Sequence, residues 1–258
     1  MVMNKLEQAM DRAKEEKKAE EVERPSMTGR DVSHTYSCTR VDRVDPGCLR
    51  RNKIVSLFPD ETVTDQLKIL HTQILNRMEG IGGNALLITS PNPGEGKTWT
   101  AVNLAIGMSH KLHHTVLLVD TNLRRPAVHR YLGLDCRRGL SDYLLHEAEI
   151  PELLVNPGIE KLVLLPAGRP LTHSTELLGS PRMEALVKEM KARYTDRFII
   201  FDGSPLLSSA DSLVFSRFVD AVLLVVESEK TPSKAAVRAM ELLEGRKVIG
   251  AVLNKARD

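Results

Sequence analysis

Six short runs, Ala85–Thr89, Thr115–Asp120, Leu162–Pro166, Phe198–Asp202, Ala221–Glu227 and Val248–Asn254, are apolar with no alternation. A strand wet on one side alternates apolar and polar residues, so runs apolar on both faces need cover on both sides. Helical stretches such as Arg182–Tyr194 and Ser233–Glu244 lie between them and can supply it. The alternation predicts an α/β fold, a doubly wound, mostly parallel sheet that binds ligands at the carboxyl ends of its strands. In a chain of 258 residues, one such domain of about 200 residues leaves room for an arm.

The first run, ALLIT, leads into SPNPGEGKTWT and then a helical stretch, TWTAVNLAIGMSHKL. A surface turn needs one Gly or a Pro-Gly pair, and this stretch has more. The P-loop pattern is Gly, four residues, then Gly-Lys-Ser/Thr between a strand and a helix. Gly96, Lys97 and Thr98 fill its second half, and Pro91 stands where the first Gly usually does. Gly94 and Gly96 allow successive backbone N–H groups to point inward as an anion nest, and the helix adds its positive end. Lys97 can reach β- and γ-phosphates, and the Thr98 hydroxyl can ligate Mg²⁺. The stretch Gly94, Glu95, Gly96, Lys97, Thr98, Trp99 is the expected nucleotide-binding segment.

Two acids close later strands. Asp120 ends TVLLVD, with Arg124 four residues on, and Asp202 ends FIIFD. Either alone could cap a turn or a helix. At strand ends, in this order after a P-loop, they suit Mg²⁺, and one could orient or deprotonate a nucleophile. The residues therefore read as an ATP-dependent phosphoryl-transfer or ATP-hydrolysis site.

The rest of the chain narrows the alternatives. A formal net charge of +2 gives no reason to expect nucleic acid, and no basic patch or reading helix stands out. Cys38, Cys48 and Cys136 form neither a disulfide framework nor a zinc pattern, which suits a reducing cytoplasm. No run approaches the roughly 18–20 apolar residues that span a bilayer, so membrane work would need a partner. MVMNKLEQAMDRAKEEKKAEE is too charged for a signal peptide. It carries Leu6, Met10 and Ala13 at helical spacing, as a solvated arm or a docking element would. Residues 23–54 read as a linker, which sets the expected division at 1–54, arm and linker, and 55–258, P-loop domain. His110, His113 and His114 have no interleaved acid or Cys and read as a solvated helix end rather than a metal site.

Together, SPNPGEGKT, LLVDTNLRRP and FIIFDGSPLL resemble the Walker A, A′ and B motifs of the bacterial tyrosine kinases (BY-kinases) of capsule and exopolysaccharide synthesis. The resemblance runs from about residue 55 to 255 and takes in RGLSDYLL, LLPAGRP, TELLGSPRM and VDAVLLVVESEKT. MNKLEQAMDRAKEE is also similar to the start of exopolysaccharide-locus members. The family is akin to the Min and Par ATPases, which carry an additional Lys early in the P-loop, where this chain has Asn92. The resemblance implies transfer of the γ-phosphate of ATP to tyrosine, with Mg²⁺. Lys97 and Thr98 would hold phosphate and metal, Asp120 would be the base and a metal-side acid, and Asp202 would complete the metal site. Asn254, ending the last strand, would contact adenine or simply shape a turn. Family members act as homo-oligomeric rings activated by a transmembrane chain-length adaptor. That implies a cytoplasmic protein brought to the inner face of the membrane by its partner, without inserting itself. The alternative is a nucleotide-switched ATPase or assembly module of the Min/Par type with little kinase turnover.

Three departures qualify the resemblance. Asn122 replaces a usual Asp in the Walker A′ and can neither carry charge nor accept a proton as a base. Asp65, Lys68 and His71 stand where the family has Glu-x-x-Arg-x-x-Arg for ring contacts, so a weaker ring or an ordinary solvated helix face is expected. The chain closes on VLNKARD where the family has a tyrosine-rich tail. Of Tyr36, Tyr131, Tyr143 and Tyr194, the last three are expected to pack in the domain, leaving Tyr36 as the candidate acceptor.

Overall fold

The computed structural model of the chain describes residues 40–57, 62–111, 115–193 and 197–256. Strands β1 (Arg40–Val41), β2 (Ala85–Thr89), β3 (Thr115–Asp120), β4 (Val155–Asn156), β5 (Leu162–Leu165), β6 (Arg197–Asp202), β7 (Ala221–Glu227) and β8 (Val248–Asn254) form one sheet. Their order is β1-β4-β5-β3-β6-β2-β7-β8, and every pairing is parallel except β4 with β5. Four of the six expected strands have the expected bounds. The other two differ by a single residue at one end: β5 stops before Pro166, which has no N–H, and β6 begins at Arg197.

Period-two geometry divides the apolar runs between two layers. Leu86, Ile88, Val116, Leu118 and Ile200 face one layer, while Leu87, Leu117, Val119, Ile199 and Phe201 face the other. On the first side pack α1 (Pro46–Arg51), α2 (Thr62–Gly80), α3 (Lys97–Lys111) and α4 (Val128–Leu132), through Leu49, Ile74, Leu104 and Leu132. On the second lie α5 (Leu140–Leu144), α6 (Ile150–Leu153), α7 (Ser174–Leu178), α8 (Pro181–Arg193), α9 (Asp211–Phe215) and α10 (Ser233–Leu242). The doubly wound sheet is therefore present, with β8 as an exception to two-sided burial. It is an edge strand, and Leu253 is 62% exposed.

The linker expected over residues 23–54 does not reach residue 54. From Arg40 the chain pairs β1 with β4, then Asp45 caps α1 by accepting from the Gly47 and Cys48 N–H groups. Leu49 and Ile54 are 1% and 0% exposed in the main core, so the division drawn at 54/55 cuts through a packed segment. Leu49→Ala is expected to cost about 2–5 kcal/mol. Urea denaturation would read this as a lowered midpoint, whereas a true linker would leave the midpoint unchanged.

The α2 face also differs from expectation. Asp65 and Lys68 are paired at its surface, but His71 is 3% exposed and lies against α3. A Cβ on Gly107 would come within 1.8 Å of the His71 ring, so the two helices approach closely only because that residue is Gly. His71 is neither on a solvated face nor free to make a ring contact.

Candidate active site

The P-loop strand β2 lies between β6 and β7, and the chain winds from it in both directions. The carboxyl ends of β2, β3 and β6 thus meet at a topological switch point. Gly94 and Gly96 have φ of 84° and 99°, the left-handed backbone that an anion nest uses. Helix α3 begins at Lys97 and aims its N-terminus at the same place.

Lys97 and Thr98 are 8% and 6% exposed. Lys97 Nζ donates to Thr98 Oγ1 at 3.0 Å and reaches Asp202 Oδ1 at 3.5 Å, while Thr98 Oγ1 donates to Asp202 Oδ2 at 2.7 Å. Asp202 lies directly across from Asp120 in the β3–β6 register. Asp120 accepts from the backbone N–H groups of Asn122, Ala127 and Val128, which ties the loop after β3 to the first turn of α4. Both carboxylates are 0% exposed. Burial, with Asp202 adding to it, pushes Asp120 up to about 7. Burial also raises Asp202, opposed by Lys97 and the Thr98 hydroxyl. The pair is a buried dyad with one cation beside it, an arrangement suited to a divalent ion and a proton acceptor. Among the described residues no cluster of three His, Cys, Asp or Glu could hold a metal by itself. A Mg²⁺ here would draw on the Thr98 hydroxyl, carboxylate and phosphate oxygens.

A cavity of ≈ 880 Å³ opens beside this cradle, lined by Gly96, Lys97, Thr98, Trp99, Tyr131 and Asn254, among others. Its size and its mix of backbone N–H groups, cations and apolar wall fit a nucleotide. Residues outside the expected domain build part of that wall. Asn52 donates to the Arg130 and Tyr131 carbonyls, and Lys53 accepts from the Trp99 indole N–H at 2.7 Å. Trp99 thereby lines the cavity with its ring and spends its N–H on the chain.

Glu95 is placed differently from the expectation for a nucleotide contact. It is 3% exposed, and its carboxylate accepts from the Asn92 N–H and side-chain amide and from the Thr231 hydroxyl. Asn254 donates through Nδ2 to the Glu95 carbonyl at 2.9 Å. Thr231 and Lys255, which donates to the Gly94 carbonyl, were not legible as site residues, although a cation directly after the strand-end Asn254 was a usable signal.

Asn122 is buried at 6% exposure beside the dyad. Arg124 reaches Asp211 and Thr175, whereas Arg125 is exposed. Tyr143 lies under the Arg182 guanidinium, 4.0 Å from its ring centre, in a packing role. Tyr131 is half-buried, and burial followed by the Asp202 charge raises its phenol. His110 is exposed and bonds the Ile106 carbonyl through Nδ1, as a helix end does. Cys48 and Cys136 are free thiols. Tyr36, Tyr194, His113, His114 and Cys38 lie outside the described residues.

Residues 85–245 match the AAA domain family. The chain is 32% identical over 208 residues to the tyrosine-protein kinase YwqD of Bacillus subtilis (strain 168), covering 80% of this chain and 86% of that one. It is 30% identical over 211 residues to the succinoglycan biosynthesis transport protein ExoP of Rhizobium meliloti (strain 1021), covering 80% of this chain but only 26% of that longer protein. The crystal structure of the chimerical protein CapA2B2 superposes with a TM-score of 0.74 at 27% identity, over 88% of this chain and 99% of that one. With the kinase relative matched along most of its length and the P-loop and both acids placed at one switch point, the chain belongs to the bacterial tyrosine-protein kinase (BY-kinase) family, built on an AAA-type P-loop domain.

Proposed function

We propose that this chain is an ATP-dependent protein-tyrosine autokinase serving capsule or exopolysaccharide synthesis. The observation that carries the reading is the buried Asp120–Asp202 pair beside the Gly94–Thr98 cradle, joined to it by the Lys97 and Thr98 contacts to Asp202. Mg·ATP supplies the phosphoryl group and the divalent charge that offsets it. The N–H groups of the Gly94–Thr98 turn and the Lys97 ammonium hold the phosphate oxygens. Thr98 and Asp202, already bonded to one another, would hold the divalent ion. Asp120 takes the proton of the attacking tyrosine hydroxyl, since burial and the facing Asp202 make its carboxylate more basic than an ordinary one. As the new tyrosine oxygen–phosphorus bond forms, the bond to the leaving phosphate breaks, and ADP is the product.

The succinoglycan role named for the ExoP relative supports polysaccharide synthesis as the setting. Among the described residues no helix is long and apolar enough to cross a membrane. By the resemblance to the family, the proposal includes a transmembrane chain-length adaptor as partner and self-assembly when active, on the cytoplasmic side. Tyr36 is the proposed acceptor.

The test is to incubate the purified chain with Mg²⁺ and γ-labelled ATP, with and without a cytoplasmic adaptor segment, and to locate the label by mass spectrometry. Label on tyrosine is expected, reduced in Tyr36→Phe. ATP consumed with every tyrosine unlabelled would overturn the kinase reading in favour of a nucleotide switch.

A further inference from the structure

The P-loop has an outer side as well as an inner one. When successive N–H groups turn inward to hold an anion, the neighbouring carbonyls turn outward and need donors of their own. Two of those donors come from the end of β8, more than 150 residues away in sequence. Lys255 Nζ donates to the Gly94 carbonyl at 2.9 Å, and Asn254 Nδ2 donates to the Glu95 carbonyl at 2.9 Å. Asn254 packs so closely that a Cβ on Gly96 would lie 1.9 Å from its Nδ2. Lys255 takes the left-handed backbone, φ 57°, which L side chains rarely adopt and which marks a position held by its surroundings.

The two donors are themselves anchored. Glu227, at the end of β7, accepts from Lys255 Nζ at 3.0 Å. Its N–H donates to the Thr231 hydroxyl, which in turn donates to the Glu95 carboxylate at 2.7 Å. The ends of β7 and β8 thus hold the loop at its Gly94 and Glu95 carbonyls and at the Glu95 side chain.

We propose that Asn254 and Lys255 are positioning residues of the phosphate cradle, acting through the Gly94 and Glu95 carbonyls, and not contacts to the nucleotide base. The proposal rests on the nucleotide reading of the site. A loop already held in its anion-binding shape loses less freedom when it binds, so the clamp contributes to phosphate affinity whatever base or sugar is attached. A base contact would contribute only where a base is present.

Binding of ATP and of inorganic tripolyphosphate, each displacing a fluorescent ATP analogue, separates these possibilities. Lys255→Met and Asn254→Ala are each expected to weaken both ligands by the same factor, about tenfold, the size of one charge-assisted or buried hydrogen bond. Lys255→Arg should restore part of the loss. Glu227→Gln combined with Lys255→Met should bind no worse than Lys255→Met alone, because the two act through one bond. Melting temperatures within a degree or so of the parent's would exclude general unfolding as the cause. Weaker ATP binding with unchanged tripolyphosphate binding would overturn the proposal and make Asn254 or Lys255 a base contact. Unchanged affinity for both ligands would overturn it as well. A parent chain that binds neither ligand would instead remove the nucleotide reading on which it rests.

Discussion

Lys97→Met is expected to weaken ATP binding by about a hundredfold or more and to abolish tyrosine labelling, the scale on which removing one preorganised donor to phosphate acts. Met keeps the length and packing of the side chain in a site where Lys97 is 8% exposed, so the variant isolates the charge. The ammonium does two things here. It is the cation in the cradle that offsets phosphate charge, and it is the counter-charge of Asp202, 3.5 Å away. Without it the two facing carboxylates repel one another unopposed, and Asp120, which Lys97 now pulls down, moves higher still. A protonated Asp120 cannot act as a base, so transfer should fall further than binding does. Titration calorimetry with ATP, beside the labelling assay, reads both quantities. A variant that binds ATP as tightly as the parent would sink the role given to this lysine.

The parts of this site legible in the sequence were those whose physics is local. β2, β3 and β6 announce themselves because a strand buried on both faces has no room for polar residues. Asp120 and Asp202 stand out because each breaks such a run at its carboxyl end. Gly94 and Gly96 announce a loop that needs positive φ. Two more long strands, β5 and β7, were legible for the same reason and β8 from its apolar composition, while β1 and β4, at two residues each, are too short to carry any period.

What stayed hidden depends on contacts between distant segments. Nothing in CLRRNKIV marks Leu49 and Ile54 as core, because their partners come from helices much further along. Asn52 and Lys53 become a cavity wall only once the Arg130 carbonyl and the Trp99 indole arrive beside them. Glu95 sits inside a phosphate-binding stretch, yet its carboxylate turns to Thr231, 136 residues away. A negative group has good reason to turn away from phosphate, and that electrostatic argument was available from sequence. His71 differs in kind. Its expected surface position came from a family pattern, whereas the close packing at Gly107 puts it inside.

Asp120→Asn should have opposite effects on activity and on stability. Transfer to tyrosine is expected to fall by about 10²–10⁴, the usual contribution of a general base. Stability of the protein free of metal and nucleotide should rise at alkaline pH. Asp120 has a pKa of about 7 in the folded chain, against 3.8 for an ordinary Asp. A carboxylate raised on folding contributes stability that is complete below its unfolded pKa and is lost as pH rises through the folded one. Between those values the folded chain must hold a proton at Asp120 that the unfolded chain releases, so this group's contribution to the parent's stability falls from about pH 4 to pH 7 and then levels off. Asn has no such proton to hold. Its carbonyl oxygen can still accept from the Ala127 and Val128 N–H groups, and only the bond from the Asn122 N–H is forfeited. The charge effect is on the order of a few kcal/mol, and the lost acceptor costs about 1–3 kcal/mol. A net gain of about 1–2 kcal/mol at pH 8 would raise the melting temperature by roughly 2–8 °C. At pH 4 the charge benefit disappears and the lost bond remains, so the variant should melt below the parent. Melting curves recorded in a chelator from pH 4 to pH 8 would show the two proteins crossing. Parallel curves across that range would mean that Asp120 is not the group burdened by burial, and its assignment as the base would lose its physical ground.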